Sequence, residues 1–127
     1  MKKTEIDKIP AGPELDTLVA ENVMGWREVR RQSKNGERDI YVGKKQDKLG
    51  RWRSAEVRPY STDPNESMAI ESRMKELGLS KKYLMQLSQI TEATRMPADW
   101  ATPAQRCRAA LKAMRTPLRL VRKPGRD

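Results

Sequence analysis

Histidine is absent from this chain of 127 residues, and with it the commonest general base and the commonest nitrogen ligand for a metal. Cysteine is used once, at Cys107, which excludes an intramolecular disulfide and a multi-thiolate zinc site. Phenylalanine is missing too, so Trp26, Trp52, Trp100, Tyr41, Tyr60 and Tyr83 carry all aromatic burial. No apolar run approaches the roughly 18 residues of a membrane span. The amino end lacks the apolar core of a signal peptide. No glycine-rich phosphate loop stands between a strand and a helix. These absences lead to the expectation of a cytoplasmic protein that is not an enzyme and uses neither cofactor nor metal. A carboxylate-metal nuclease built on Asp39, Asp47 or Glu56 with a neighbouring Lys is conceivable, but their spacing matches no known motif. Cys107 falls on an apolar stripe and suits a small core residue better than a nucleophile.

What the chain has in quantity is positive charge. Apolar residues make up 36% and charged residues 35%, with a net charge of +10, enough for one domain with one modest core. Residues 27–58 hold eleven bases against five acids, and residues 94–127 hold nine against two. The stretches 1–26 and 59–93 are slightly acidic. Two basic blocks of this kind point to an anionic partner, a nucleic acid or an acidic protein surface. The plainer alternative is a surface that keeps the protein soluble.

The local signals predict an α+β domain over residues 13–116, an antiparallel sheet of about three to five strands with three helices. Residues 1–12 are expected to fray and residues 117–127 to form a basic tail. Gly12-Pro13 opens the first helix, with Leu15, Leu18, Val19 and Val23 as its stripe and Gly25 as its stop. Val29 starts a strand, Asn35-Gly36 is a hairpin signal, and Asp39–Gly43 and Trp52–Val57 are the next strands. Asp63-Pro64-Asn65-Glu66 is a cap, a proline at the first helical position and an acid three after the cap. It opens a helix with Ile70, Met74 and Leu77 on one face and Gly78 as its stop. This helix is the element around which the chain is organised. Residues 83–90 fit either periodicity and are assigned to a strand. Thr102-Pro103-Ala104-Gln105 repeats the capping logic before a helix with Cys107, Ala110, Leu111 and Met114 inside. Pro117 ends it, and the tail is an edge strand at 118–120 or a disordered arm.

Three stretches are familiar: Leu15 to Trp26, Pro59-Tyr60-Ser61-Thr62-Asp63, and Ala101 to Ala113. In that order they resemble the phage ABA sandwich domain, a family of small phage and prophage proteins without an established chemistry. The resemblance implies helices packed on a sheet in an α/β/α sandwich, and a viral origin, hence work inside an infected or lysogenic bacterial cell. It assigns no catalytic residues, and the segment Arg27 to Arg58 and the tail after Arg115 lie outside the pattern.

The candidate binding residues therefore come from the basic blocks: Arg30, Arg31, Lys44, Lys45, Lys48, Arg51, Trp52, Arg53, Arg119, Arg122 and Lys123. Trp52 between Arg51 and Arg53 suits a base-stacking platform among phosphate contacts, or equally a core residue of a protein without Phe. Trp26 and Trp100 are expected in the core. Neighbours in a strand point to opposite faces, so Trp52 and both arginines cannot all meet one flat ligand unless a bulge or turn intervenes. The leading expectation is a counter-defence inhibitor of anti-CRISPR-like kind, which blocks a host defence protein or nucleoprotein complex, or its nucleic-acid site. The alternative is a DNA- or RNA-binding accessory protein in phage replication, packaging or regulation.

Overall fold

A computed structural model describes residues 3–34, 38–95, 97 and 100–122. In order they form α1 (Lys3–Lys8), α2 (Pro13–Asn22), β1 (Arg27–Lys34), β2 (Arg38–Gln46), β3 (Trp52–Glu56), α3 (Pro64–Glu76), α4 (Ser80–Ala93) and α5 (Pro103–Arg122). The class is α+β. The sheet has three strands in the order β1-β2-β3, antiparallel throughout. Asn35 and Gly36 lie outside the described residues, but the strands they join pair through Lys34 and Arg38.

The capping signals produce the bonds they imply. The Asp63 carboxylate accepts from the Asn65 N–H at 2.8 Å. The carboxyl end of α3 closes on Gly78 at φ 73°, with the Leu79 N–H on the Met74 carbonyl and the Gly78 N–H on the Lys75 carbonyl, a Schellman closure. Thr102 and Gln105 exchange both bonds of a capping box, at 2.9 and 3.1 Å. Glu66 does not close its box; its carboxylate is taken by Arg58 instead. Leu77 is 38% exposed because it is the cap residue where α3 ends, and Ser67 joins Ile70 and Met74 on the buried face.

Four expectations are corrected. The amino end does not fray: α1 forms there, with Ile6 fully buried and Ile9 nearly so. Residues 83–90 are helical, since Tyr83, Leu87 and Thr91 fill the buried stripe of α4 and few β-branched residues oppose a helix. Helices therefore number five rather than three among the described residues. Pro117 does not stop α5. A proline inside a helix forfeits one backbone bond and crowds the preceding turn, but the good helix formers around it carry the backbone on to Arg122.

The organising helix is α5 rather than α3, since it packs against α1, α2, α3 and α4. Its buried face is built of small side chains, Ala104, Cys107, Ala109, Ala110 and Ala113, which let four helices approach one axis. Of the described helices only α2 touches the strands. Asp16 of α2 is buried, and its carboxylate accepts from the Ser61 N–H at 2.7 Å. The Gly12 N–H donates to Ser61 Oγ at 2.8 Å. The stretches around Asp16, Ser61 and Cys107 thus meet in the core.

Candidate nucleic-acid interface

The sheet acquires its outward face through one irregularity. Arg27 pairs with Lys44 and Arg30 with Val42, so two residues of β1, Glu28 and Val29, stand opposite Gly43 alone. Glu28 takes the extra turn of the chain at φ 55°, as a bulge requires. Gly43 is needed there: a Cβ would lie 2.8 Å from the Val29 side chain and 3.2 Å from both the Arg27 carbonyl and the Trp26 ring. In a regular strand Arg27 and Arg30, three apart, would face opposite ways. The bulge puts them on the same face.

That face then follows from the register. Lys44 pairs with Arg27 and Ser54, Gln46 with Trp52, and Val42 with Glu56. Arg27, Arg30, Lys44 and Trp52 thus share one side of the sheet with Gln46, Ser54, Val42 and, on β3 across Val42 from Arg30, Glu56. Val29, Ala55 and Val57 take the other side and pack against the core. The guanidinium of Arg27 reaches across β2 and lies over the Trp52 ring, 4.2 Å from its centroid. Planar cation and indole form one stack. Trp52 remains 36% exposed. Lys44 reaches Glu28 at 3.5 Å, with both side chains largely in solvent, where such a pair contributes little.

The remaining candidates are distributed elsewhere. Lys45 points to the core side, 5.7 Å from the Trp26 ring. Arg31 borders Tyr41 and the segment before α2. Arg51 and Arg53 are both held by one carboxylate: Asp47 Oδ2 accepts from Arg53 Nε at 2.8 Å and Arg51 Nε at 3.2 Å. Its other oxygen accepts from the Leu49 and Arg51 N–H groups. The Arg53 bond above all, then the Arg51 N–H, lowers the Asp47 pKa below the ordinary carboxylate value. Lys48 is exposed in this same turn. Arg119 and Arg122 belong to the last turns of the α5 backbone, and Lys123 lies outside the described residues. The candidates therefore do not form one cluster. Arg30, Lys44 and Trp52 share one face of the sheet, and Arg27 joins them there. A glycine inside a strand was the signal that could have found Arg27, because it marks a bulge or a close approach.

Trp26 is buried as expected, but Trp100 is 69% exposed, since it precedes the Thr102 cap and lies outside the stripe that α5 turns inward. The carboxylates weighed for a nuclease are dispersed. Asp39 and Asp47 stand at opposite ends of β2, roughly 26 Å apart at strand spacing, and Asp47 is committed to its arginines. Among the described residues no group of three or more His, Cys, Asp or Glu could hold a metal ion. Burial pushes the Cys107 thiol up to about 12, which leaves no thiolate near neutral pH.

A cleft of about 560 Å³ opens between α3, the end of β2 and the turn after α2. Its charged groups already answer one another. Arg58 binds Glu66 at 2.6 Å. Arg73 donates to the Val23 carbonyl at 2.8 Å and pairs with Glu76. Tyr60 at its wall is pushed up to about 12 by burial first, then by Glu66, so it is a neutral phenol. Its lining carries three cations, Lys45 among them, and three carboxylates, so it presents no net positive charge to an anion.

No helix of the described residues is long and apolar enough to cross a membrane. No family model, no curated protein and no solved structure matches the chain.

Proposed function

We propose that the protein is a non-catalytic binding protein that engages a nucleic acid through the outward face of its sheet. The observation that carries this reading is that Arg27, Arg30, Lys44 and the exposed Trp52 share one side of three strands, with Arg27 stacked over the ring. Cations there meet phosphates and the aromatic ring meets a base, the two components of nucleic-acid surfaces that read no particular sequence. The surrounding segment, with eleven bases against five acids, adds long-range attraction. Direct titration of labelled DNA and RNA at low and moderate salt tests it. The expected result is an affinity that falls steeply with salt as counterions return to the phosphates. No binding at low salt by the folded protein overturns it.

The counter-defence reading uses the same basic surface against an acidic patch of a host protein, and it rests on the resemblance to small phage proteins. A pull-down from host lysate separates the two. A nucleic-acid ligand is lost on nuclease treatment, and a protein ligand survives it.

A further inference from the structure

The paired side chains at the centre of the sheet narrow the ligand further. We propose that the Arg27–Trp52 stack is a docking platform for an unpaired base, and hence that the ligand is single-stranded nucleic acid rather than a duplex. This rests on the reading of the sheet as a nucleic-acid surface.

Trp52 is held on β3 opposite Gln46, and Arg27 is held on β1 opposite Lys44. The stack therefore bridges the full width of the sheet, two strand spacings or about 10 Å. Both members are fixed at the backbone by a ladder, and Arg27 is aimed by the bulge at Glu28. A flat guanidinium over an indole presents a π surface of a base's dimensions, and a base extends the stack by the same interaction. Duplex bases are already stacked on their neighbours, so only an unpaired base can use this surface. Arg30 lies on the same face as Arg27, three residues along β1 and opposite Val42, and Lys44 lies directly opposite Arg27 on β2. A strand whose base rests on the stack runs its phosphates past these cations. Among the described residues Arg30 has no carboxylate partner, and the partner of Lys44 is the exposed Glu28, which a phosphate can displace at little cost. Ser54 and Gln46 beside the ring are short or neutral donors and acceptors, which gives tolerance of base identity.

The test uses the full chain with fluorescent single-stranded DNA and RNA of about eight nucleotides, within the usual range of such sites, and the matching duplexes. The expected result is single strands bound at least about tenfold tighter than duplexes, with quenching of Trp52 emission on binding. Trp100→Phe in the background removes the other exposed indole from the signal. Trp52→Ala should weaken single-strand binding about ten- to a hundredfold, while Trp52→Phe retains most of it. Arg27→Lys keeps the charge and loses the plane, so affinity should fall severalfold at an unchanged salt slope. Melts of each variant exclude unfolding. Duplexes bound as tightly as single strands, or folded Trp52→Ala binding like wild type, overturn the stacking proposal and leave the charge-based reading standing. Absence of any nucleic-acid binding at low salt overturns both. Preference between the DNA and RNA arms identifies which single strand the platform serves.

Discussion

The two basic blocks use their charge in opposite ways. In the sheet, Arg27, Arg30 and Lys44 stand on an open face. In the first half of α5, the cations are drawn into the helical body. Arg106 meets Glu71, which also accepts from the Tyr83 hydroxyl at 2.9 Å. Arg108 donates to the Ile9 carbonyl at 2.9 Å, and Lys112 reaches Asp7 at 2.7 Å. Burial, and then Glu71, push the Tyr83 pKa upward. These contacts tie α1 and α3 to α5 over separations that no local pattern displays. The lesson is that a basic run in a sequence measures charge, not available charge. The first half of α5 uses its cations to hold the fold together, while the sheet leaves them on an open face.

The comparison breaks most visibly at Glu71. Glu71→Ala leaves Arg106, 15% exposed, without its carboxylate, and should cost about 2–3 kcal/mol in urea melts, below the full cost of a buried pair because Glu71 is partly solvated. Nucleic-acid affinity of the folded fraction should be unchanged. A loss of affinity without a loss of stability would move the working surface to α5.

Gly43→Ala attacks the sheet at its bulge. Adding a methyl group 2.8 Å from Val29 should cost roughly 1–3 kcal/mol by overpacking and should also weaken binding, because it shifts Arg27 off Trp52. Calorimetry and titration together check this. A stable variant that still binds would mean the bulge does not position the site.

Arg30→Ala with Lys44→Ala sharpens the contrast from the other side. The melting midpoint should stay within error of wild type, and the slope of log affinity against log salt for single strands should flatten by about 1.4, roughly 0.7 per lost phosphate contact. An unchanged slope would remove both residues from the interface.

The smallest effect expected is that of acid on the turn between β2 and β3. Asp47 has its pKa lowered from 3.8 by Arg53 and Arg51. Its contribution is therefore present above pH 3.8 and is lost as pH falls through the depressed folded value. A carboxyl titration by NMR should place its midpoint below 3.8, and Arg53→Ala should raise it. A midpoint at or above 3.8 in the intact protein would mean the clamp is not formed.

Residue chemistry close along the chain determined much of this protein by itself. The α+β class, the Asp63 cap, the Gly78 closure, the reciprocal bonds of Thr102 and Gln105, and the burial of Cys107 follow from interactions within a few residues, which spacing displays directly. The strands around Asn35-Gly36 follow from the hairpin signal of that turn. Tertiary structure alone decided the rest. Residues 83–90 carry two periodicities; their few β-branched residues favour the helical one, and packing against α3 and α5 fixes it. Asp16 looks like a solvated acid on a helix until the Ser61 N–H arrives from 45 residues away to satisfy it in the core. Asp47 takes Arg51 and Arg53 out of the site that their sequence neighbour Trp52 enters. Above all, Arg27 reaches Trp52 because the bulge opposite Gly43 reverses the side-chain alternation of β1. A strand's period is two, so one extra residue turns everything beyond it to the other face, and that residue is visible only when the strands are paired.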